Sequence, residues 1–241
     1  MALYLFADYV VDVQSRYEEY MQSICADYLY HGDAKPDITV RVTDEEMAKE
    51  FADASDDKTP EYIEYICTYR NLCLQLLEKD AFLFHGSTIA CDGHGIIFTA
   101  QSGVGKTTHT KIWWQLFGKE KITIINGDKP IIRFKEDGKA YAYGTPWAGK
   151  ENYRVNDKVQ VTDLCFIERC ETVSVERADK SKYIDFVLNQ VLHPADPMLA
   201  IKQLELLDRF LSACNLWVIK CNISRQAGEM AYNTIIGGTK K

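Results

Sequence analysis

The alternation of apolar and polar positions changes character near residue 78. Before that point, short apolar runs at residues 3–6 and 9–13 predict two strands, and Tyr17, Tyr20, Met21, Ile24, Cys25 and Tyr28 recur at helical spacing. A further strand is expected at 38–42. Thr43-Asp-Glu-Glu46 has the spacing of a capping box before a short acidic helix, and 53–59 reads as a solvated acidic loop. Thr59-Pro60 opens a longer helix, with proline at its first position. Its apolar stripe is Tyr62, Ile63, Ile66, Tyr69, Leu72, Cys73, Leu76 and Leu77.

After residue 81 the pattern turns to strands. One is expected at 82–91, followed by the turn Asp92-Gly93-His94-Gly95 and a second strand at 96–100; an Asp-Gly pair between apolar runs signals a hairpin. Further strands are predicted at 122–125, 131–135, 140–143, 160–167, 172–176 and 216–221, with a turn at Asp137-Gly138. Helices are predicted at 181–192, at 196–213 and after Ser224, which has the chemistry of an N-cap. The pattern predicts an α/β chain with a mixed sheet: a small α+β region at 1–78, then a larger domain at 79–241.

Composition narrows the class. A chain of 241 residues that is 46% hydrophobic and 26% charged has material for a core and is neither disordered nor fibrous. With 28 basic residues against 35 acidic ones it lacks the positive footprint that nucleic-acid phosphates require. Its apolar runs fall far short of the roughly 18 residues that span a bilayer, and Asp8 and Asp12 interrupt the stretch that a signal peptide would keep apolar. A cytoplasmic location with no membrane partner is expected. The eight cysteines show neither a C-x-x-C pair nor zinc-ligand spacing, so they are expected to be reduced core residues.

The chemistry concentrates in Ala100-Gln-Ser-Gly-Val-Gly-Lys106-Thr107, which fits the phosphate-binding loop pattern with alanine in the leading position. The segment lies between an apolar strand and a helix expected at 107–116. Gly103 and Gly105 let backbone N–H groups turn toward phosphate oxygens, and the helix adds its positive end. Lys106 would neutralise the β and γ phosphates of ATP, and the Thr107 hydroxyl would ligate Mg²⁺. Only a short turn separates 82–91 from the strand feeding this loop. A parallel crossover needs a dozen or more residues, so the two strands must be antiparallel.

Leu83-Phe84-His85-Gly86-Ser87, the hairpin, Ser102-Gly-Val-Gly-Lys106-Thr107 and Ile125-Asn-Gly-Asp128 together resemble the superfamily of HPr kinase/phosphorylase and ATP-dependent phosphoenolpyruvate carboxykinase. More closely, the chain looks like the small HPr-kinase-related proteins of bacteria, and the resemblance covers about residues 80–235. The resemblance implies a kinase-like phosphate-loop core fed by an antiparallel hairpin. It implies that Ser102, Gly103, Val104, Gly105, Lys106, Thr107 and Thr108 hold the nucleotide, that Thr107 and Asp128 face the metal, and that Asp128 or His85 serves the acceptor hydroxyl. HPr kinases carry two adjacent aspartates where this chain has Gly127-Asp128-Lys129, so one residue is left for two roles. The acceptor implied is a serine of a protein or peptide, or a small hydroxyl metabolite, and a homo-oligomer is consistent with the resemblance.

Residue chemistry gives an independent but weaker reading. A strand-terminal Asp128 supplies a hard oxygen for a metal and a proton acceptor for a hydroxyl, yet Asn-Gly-Asp is also a good turn in its own right. His85 reads either as a site residue or as a satisfied strand histidine, and Lys129 as a second cation or a solvated one. In Gly144-Thr-Pro-Trp-Ala-Gly-Lys150-Glu151, an exposed-looking Trp147 reads as a residue that stacks on a base and Lys150 as one that binds a phosphate or an acidic acceptor, or both belong to a well-packed surface turn. His109 and His193 read as packing or capping residues. The segments an oxaloacetate site would need are missing, as is the Asn-Lys-x-Asp guanine motif. The main alternative to a kinase is a non-catalytic ATP-binding sensor.

Overall fold

In the computed structural model, which describes residues 2–54 and 57–237, the first apolar run forms β1 (Ala2–Phe6). Ala7 and Asp8, both in the left-handed region, turn it into β2 (Tyr9–Gln14), which pairs antiparallel with β1. After α1 (Glu18–Ile24), β3 (Ile38–Arg41) adds parallel to β2. The capping box forms as expected: the Glu46 N–H donates to Thr43 Oγ1 and the Thr43 N–H donates to Glu46 Oε2. It starts α2 (Asp44–Asp53), which shortens the expected acidic loop; positions 55 and 56 of that loop lie outside the described residues.

In α3 (Pro60–Leu76), Tyr62 is exposed, whereas Glu64 from outside the expected stripe is 1% exposed. The Glu64 carboxylate takes hydrogen bonds from the Ser15 hydroxyl, the Arg16 backbone N–H and the Arg16 guanidinium. It is buried because the segment after β2 satisfies it. These elements form one compact unit, Met1–Lys79, and Asp80–Lys241 forms a second.

The second unit begins with β4 (Ala81–Leu83), β5 (Ser87–Cys91), β6 (His94–Thr99), α4 (Lys106–Phe117) and β7 (Ile122–Asn126). The single strand expected at 82–91 is therefore two strands in different parts of the sheet. The break has a backbone cause: the N–H groups of Phe84, His85 and Gly86 donate to the carbonyls of Pro130, Gln190 and Asp128, at 3.2, 2.7 and 2.9 Å. The β5–β6 hairpin does turn at Asp92-Gly93, with φ of 50° and 81°, the primed geometry that matches strand twist.

Next come β8 (Ile131–Phe134), β9 (Ala140–Tyr143), β10 (Lys158–Arg169), β11 (Ser174–Arg177), α5 (Lys180–Leu188), α6 (Pro197–Ala213), β12 (Asn215–Cys221) and α7 (Arg225–Ile235). The sheet runs β4-β8-β9-β10-β6-β5-β7, with β12 beside β10 and β11 beside β12. Strands β6, β10 and β12 are parallel; β5 is antiparallel to both of its neighbours, β6 and β7. The sheet is mixed, as expected.

Strand alternation sends Ile89, Phe98, Cys165 and Ile219 to the face packed on Trp113 of α4 and on Ala227, Ala231 and Ile235 of α7. On the other face Phe166 stacks on Tyr183 of α5, and Phe82 and Phe84 meet Phe210 of α6. Helices thus cover both faces, the arrangement of an α/β layer fold. The eight cysteines are free thiols, all buried except the half-buried Cys170 and Cys214. No helix among the described residues is long and apolar enough to cross a membrane.

Candidate functional site

The strand order brings three chain segments to one end of the sheet. Because β5 runs opposite to β6 and β7, its beginning meets their ends. His85 lies just before β5, the glycine loop follows β6, and Asp128 follows β7.

In the loop, Gly103 and Gly105 adopt φ of 78° and 122°, which a side chain would strain, and Gly105 is the residue that starts α4. Ala100, at the leading position, is not in the left-handed region, so its methyl group costs the loop nothing in backbone conformation.

Asp128 is held on a rigid turn. The Asn126 side-chain oxygen accepts hydrogen bonds from the N–H groups of Asp128 and Lys129, at 2.8 and 2.7 Å. Its amide nitrogen donates to the Thr145 carbonyl and hydroxyl, and the Thr145 hydroxyl donates to the Lys129 carbonyl. Asn126 and Thr145 are fully buried. The turn chemistry of Asn-Gly-Asp and the placement of Asp128 are therefore one structure, where the sequence offered them as rival readings. Gly149, at φ 75°, packs so close that a Cβ there would lie 2.9 Å from Asp128 Cβ.

One Asp128 oxygen, Oδ1, receives the Lys106 ammonium at 2.7 Å and lies 3.1 Å from His85 Nε2. Burial alone raises the Asp128 pKa, but the hydrogen bond to His85 and the Lys106 charge outweigh it and hold the carboxyl well below the ordinary range. Burial lowers the Lys106 pKa; the Asp128 charge opposes that and the charge of Lys129 adds to it. His85 is further fixed through its backbone, since its carbonyl accepts from the Thr99 hydroxyl at 3.0 Å.

These groups open on a cleft of about 300 Å³ lined by His85, Ala100, Gln101, Ser102, Gly103, Gly105, Lys106, Thr107, Thr108 and Asp128. Of the loop residues expected here, Val104 alone is not on its wall; its side chain packs on the core. Trp147, expected to be exposed, is 3% exposed and offers no face for stacking, and neither it nor the exposed Lys150 lines the cleft. The Gly144–Lys150 segment works from behind, through Thr145 and Gly149, to hold the Asp128 turn.

His109 is a packing residue as expected: it is buried, accepts a hydrogen bond from Trp113 Nε1 at 3.1 Å and packs on Phe98. His193 is exposed. The sequence reading missed Asn126 and Thr145 as positioning residues. Asn at the start of a turn was their only signal.

Among the described residues no group of three or more His, Cys, Asp or Glu side chains is placed to hold a metal. The cleft offers the Thr107 hydroxyl and the Asp128 carboxylate. That donor set fits Mg²⁺, which binds one or two carboxylates and completes its shell with phosphate oxygens and water.

No protein-family model matches the chain, and no curated protein gives a significant match. Among solved structures, the HPr(Ser) kinase/phosphatase from Coxiella burnetii is similar over 65% of this chain and 98% of its own length, at 10% identity and a TM-score of 0.36.

Proposed function

We propose that the second unit is a Mg·ATP-dependent phosphotransferase that moves the γ-phosphoryl group to a hydroxyl, on a serine of a protein or peptide or on a small metabolite. The observation that carries this reading is Asp128 at the mouth of a glycine loop, sharing one oxygen with Lys106 and His85 inside one cleft.

Phosphoryl transfer asks a protein mainly for positioning and charge neutralisation. Lys106 exchanges Asp128 for the β and γ phosphates when ATP enters, with the loop N–H groups and the start of α4 on the remaining oxygens. That exchange frees the Asp128 oxygens from the lysine for the metal and for the acceptor hydroxyl. Asp128 then takes the proton of the acceptor hydroxyl as its oxygen bonds to the γ phosphorus, the bond from that phosphorus to the β-phosphate oxygen breaks, and ADP leaves. His85 orients the carboxylate through Nε2. Mg²⁺ held by Thr107 and Asp128 would neutralise charge on the transferring phosphate.

The test is Asp128→Asn. Transfer is expected to fall by about 10²-fold or more while ATP still binds. If binding and transfer both survive, Asp128 is not catalytic, and if the unaltered protein binds ATP without transferring phosphate, it is a nucleotide sensor. The acceptor class is read from γ-labelled ATP supplied to a cell extract split by size, with Lys106→Ala as the blank.

A further inference from the structure

Large apolar side chains that face water collect on two helices of the second unit. Among the described residues eight leave more than a third of their surface in solvent, and four of these are Ile184 of α5 and Met198, Ile201 and Leu204 of α6. The three on α6 recur at every third position and form one stripe, more than half exposed, opposite the buried Gln203, Leu206, Leu207 and Phe210. The Lys180 ammonium of α5 bonds the Asp208 carboxylate of α6 at 2.7 Å. Ile184 and Leu204 each lie one turn from that pair on their own helices, so one surface carries all four side chains. A surface helix ordinarily turns polar groups outward, and an aliphatic row in their place marks a contact surface.

We infer that this face docks the molecule that carries the acceptor hydroxyl, and that this molecule is a protein presenting an amphipathic segment whose apolar side is flanked by lysine or arginine. The inference rests on reading the chain as a phosphotransferase. The occupant follows from position and charge. Gln190, in the connection from α5 to α6, accepts the His85 N–H on its carbonyl at 2.7 Å, and Phe210 of α6 packs on Phe84, the neighbour of His85. Ile201 lies nine residues before Phe210, about 14 Å along the helix. A molecule that rests on the stripe and also reaches the cleft must span at least that length, which a protein does and a small metabolite does not. The cations of α6 are engaged, since Lys202 and Arg209 both reach Asp80, at 2.8 and 3.6 Å. Asp185 and Glu205, beside Ile184 and Leu204, are exposed and take no side-chain ion pair among the described residues. Aliphatic side chains edged by unpaired carboxylates complement a basic amphipathic segment. A second copy of this chain would instead bring the same acids and the same net charge of −7.

Label from γ-labelled ATP is followed in the macromolecular and small fractions of a cell extract, with the unaltered protein and with the double variant Ile201→Gln, Leu204→Gln. Phe51→Gln, which alters an exposed aromatic of the first unit, is the control, and ATP binding by calorimetry reports an intact fold. The double variant is expected to lower macromolecular labelling about tenfold or more, with ATP affinity within about twofold and Phe51→Gln unchanged. In parallel, fluorescence anisotropy of a short leucine–lysine peptide patterned as an amphipathic helix is expected to show binding to the unaltered protein, at least about tenfold weaker binding to the double variant, and none for the leucine–glutamate counterpart. Macromolecular label that the double variant leaves unchanged, label confined to the small fraction, or equal binding of the two peptides would each overturn the inference and leave the phosphotransferase reading standing. If neither fraction takes label from the unaltered protein, that reading fails and this one falls with it.

Discussion

Asp128 and Asp163 are both carboxylates of the large sheet with an imidazole beside them, at opposite ends of the β5–β6 hairpin. Asp128 lies 3.1 Å from His85, where β5 begins; Asp163 lies 3.5 Å from His94, where β6 begins. Asp163 is fully buried, with Oδ1 accepting from the Trp217 indole at 2.8 Å and Oδ2 from the Thr162 hydroxyl at 2.7 Å. The Arg177 guanidinium covers the same indole at 3.9 Å. The hydrogen bonds to Asp163 come from the neutral Trp217 and Thr162 side chains, and the cleft does not reach it. Asp128 keeps a quarter of its side chain in solvent and spends its oxygen on a lysine that lines the same open cleft. A carboxylate beside an imidazole is thus a pin in one place and a candidate site in the other. The difference is a cationic partner and an open volume.

The sharpest way to break the comparison is Lys106→Ala. It is expected to lower transfer from γ-labelled ATP by about 10²-fold or more. The converse substitution, Asp163→Leu, strands the buried Trp217 N–H and is expected to cost about 3 kcal/mol of unfolding free energy in urea titrations, with transfer per folded molecule within about twofold. An Asp163 variant that kept its stability and lost transfer would reverse the two assignments.

Gly149→Ala tests the packing behind Asp128. A side chain at φ 75° and 2.9 Å from Asp128 Cβ is expected to cost about 1–2 kcal/mol of stability and to lower transfer severalfold by displacing the carboxylate.

The smallest effect is on acid stability. The native Asp128 pKa lies below its unfolded value of about 3.9, so its contribution is complete above about pH 5 and is lost as pH falls toward the native value. The stability difference between the unaltered protein and Asp128→Asn is expected to be flat above pH 5 and to shrink below pH 4. A difference that stayed flat down to pH 2 would mean that the Lys106 and His85 contacts do not favour the ionised form.

What the sequence made legible was local. The Thr43 capping box, the Asp92-Gly93 hairpin and the helix that follows the glycine loop each depend on residues within a few positions of one another, and each formed as read. The division of 82–91 was not legible. Phe82, Phe84 and Ile89 are equally buried on both sides of the break, and the carbonyls that cause it lie about 45 and 105 positions away, at Asp128, Pro130 and Gln190. Trp147 misled for a related reason: glycine and proline around it signal a loop, but this loop is packed against the Asp128 turn. The meeting of His85 with Asp128 could be taken only from the family resemblance, because it depends on β5 lying between β6 and β7.

That inserted strand gives the hairpin turn an unusual genetic constraint. Exposed turns ordinarily absorb insertions and deletions. Here Asp92-Gly93 fixes which residue of β5 faces which residue of β6, from Cys91 opposite His94 to Ser87 opposite Phe98. One added residue that slipped this pairing would turn each side chain of β5 to the other face and carry His85 out of line with Lys106 and Asp128. A turn about 17 Å from the cleft, five strand residues away, is therefore expected to tolerate changes of sequence far better than changes of length.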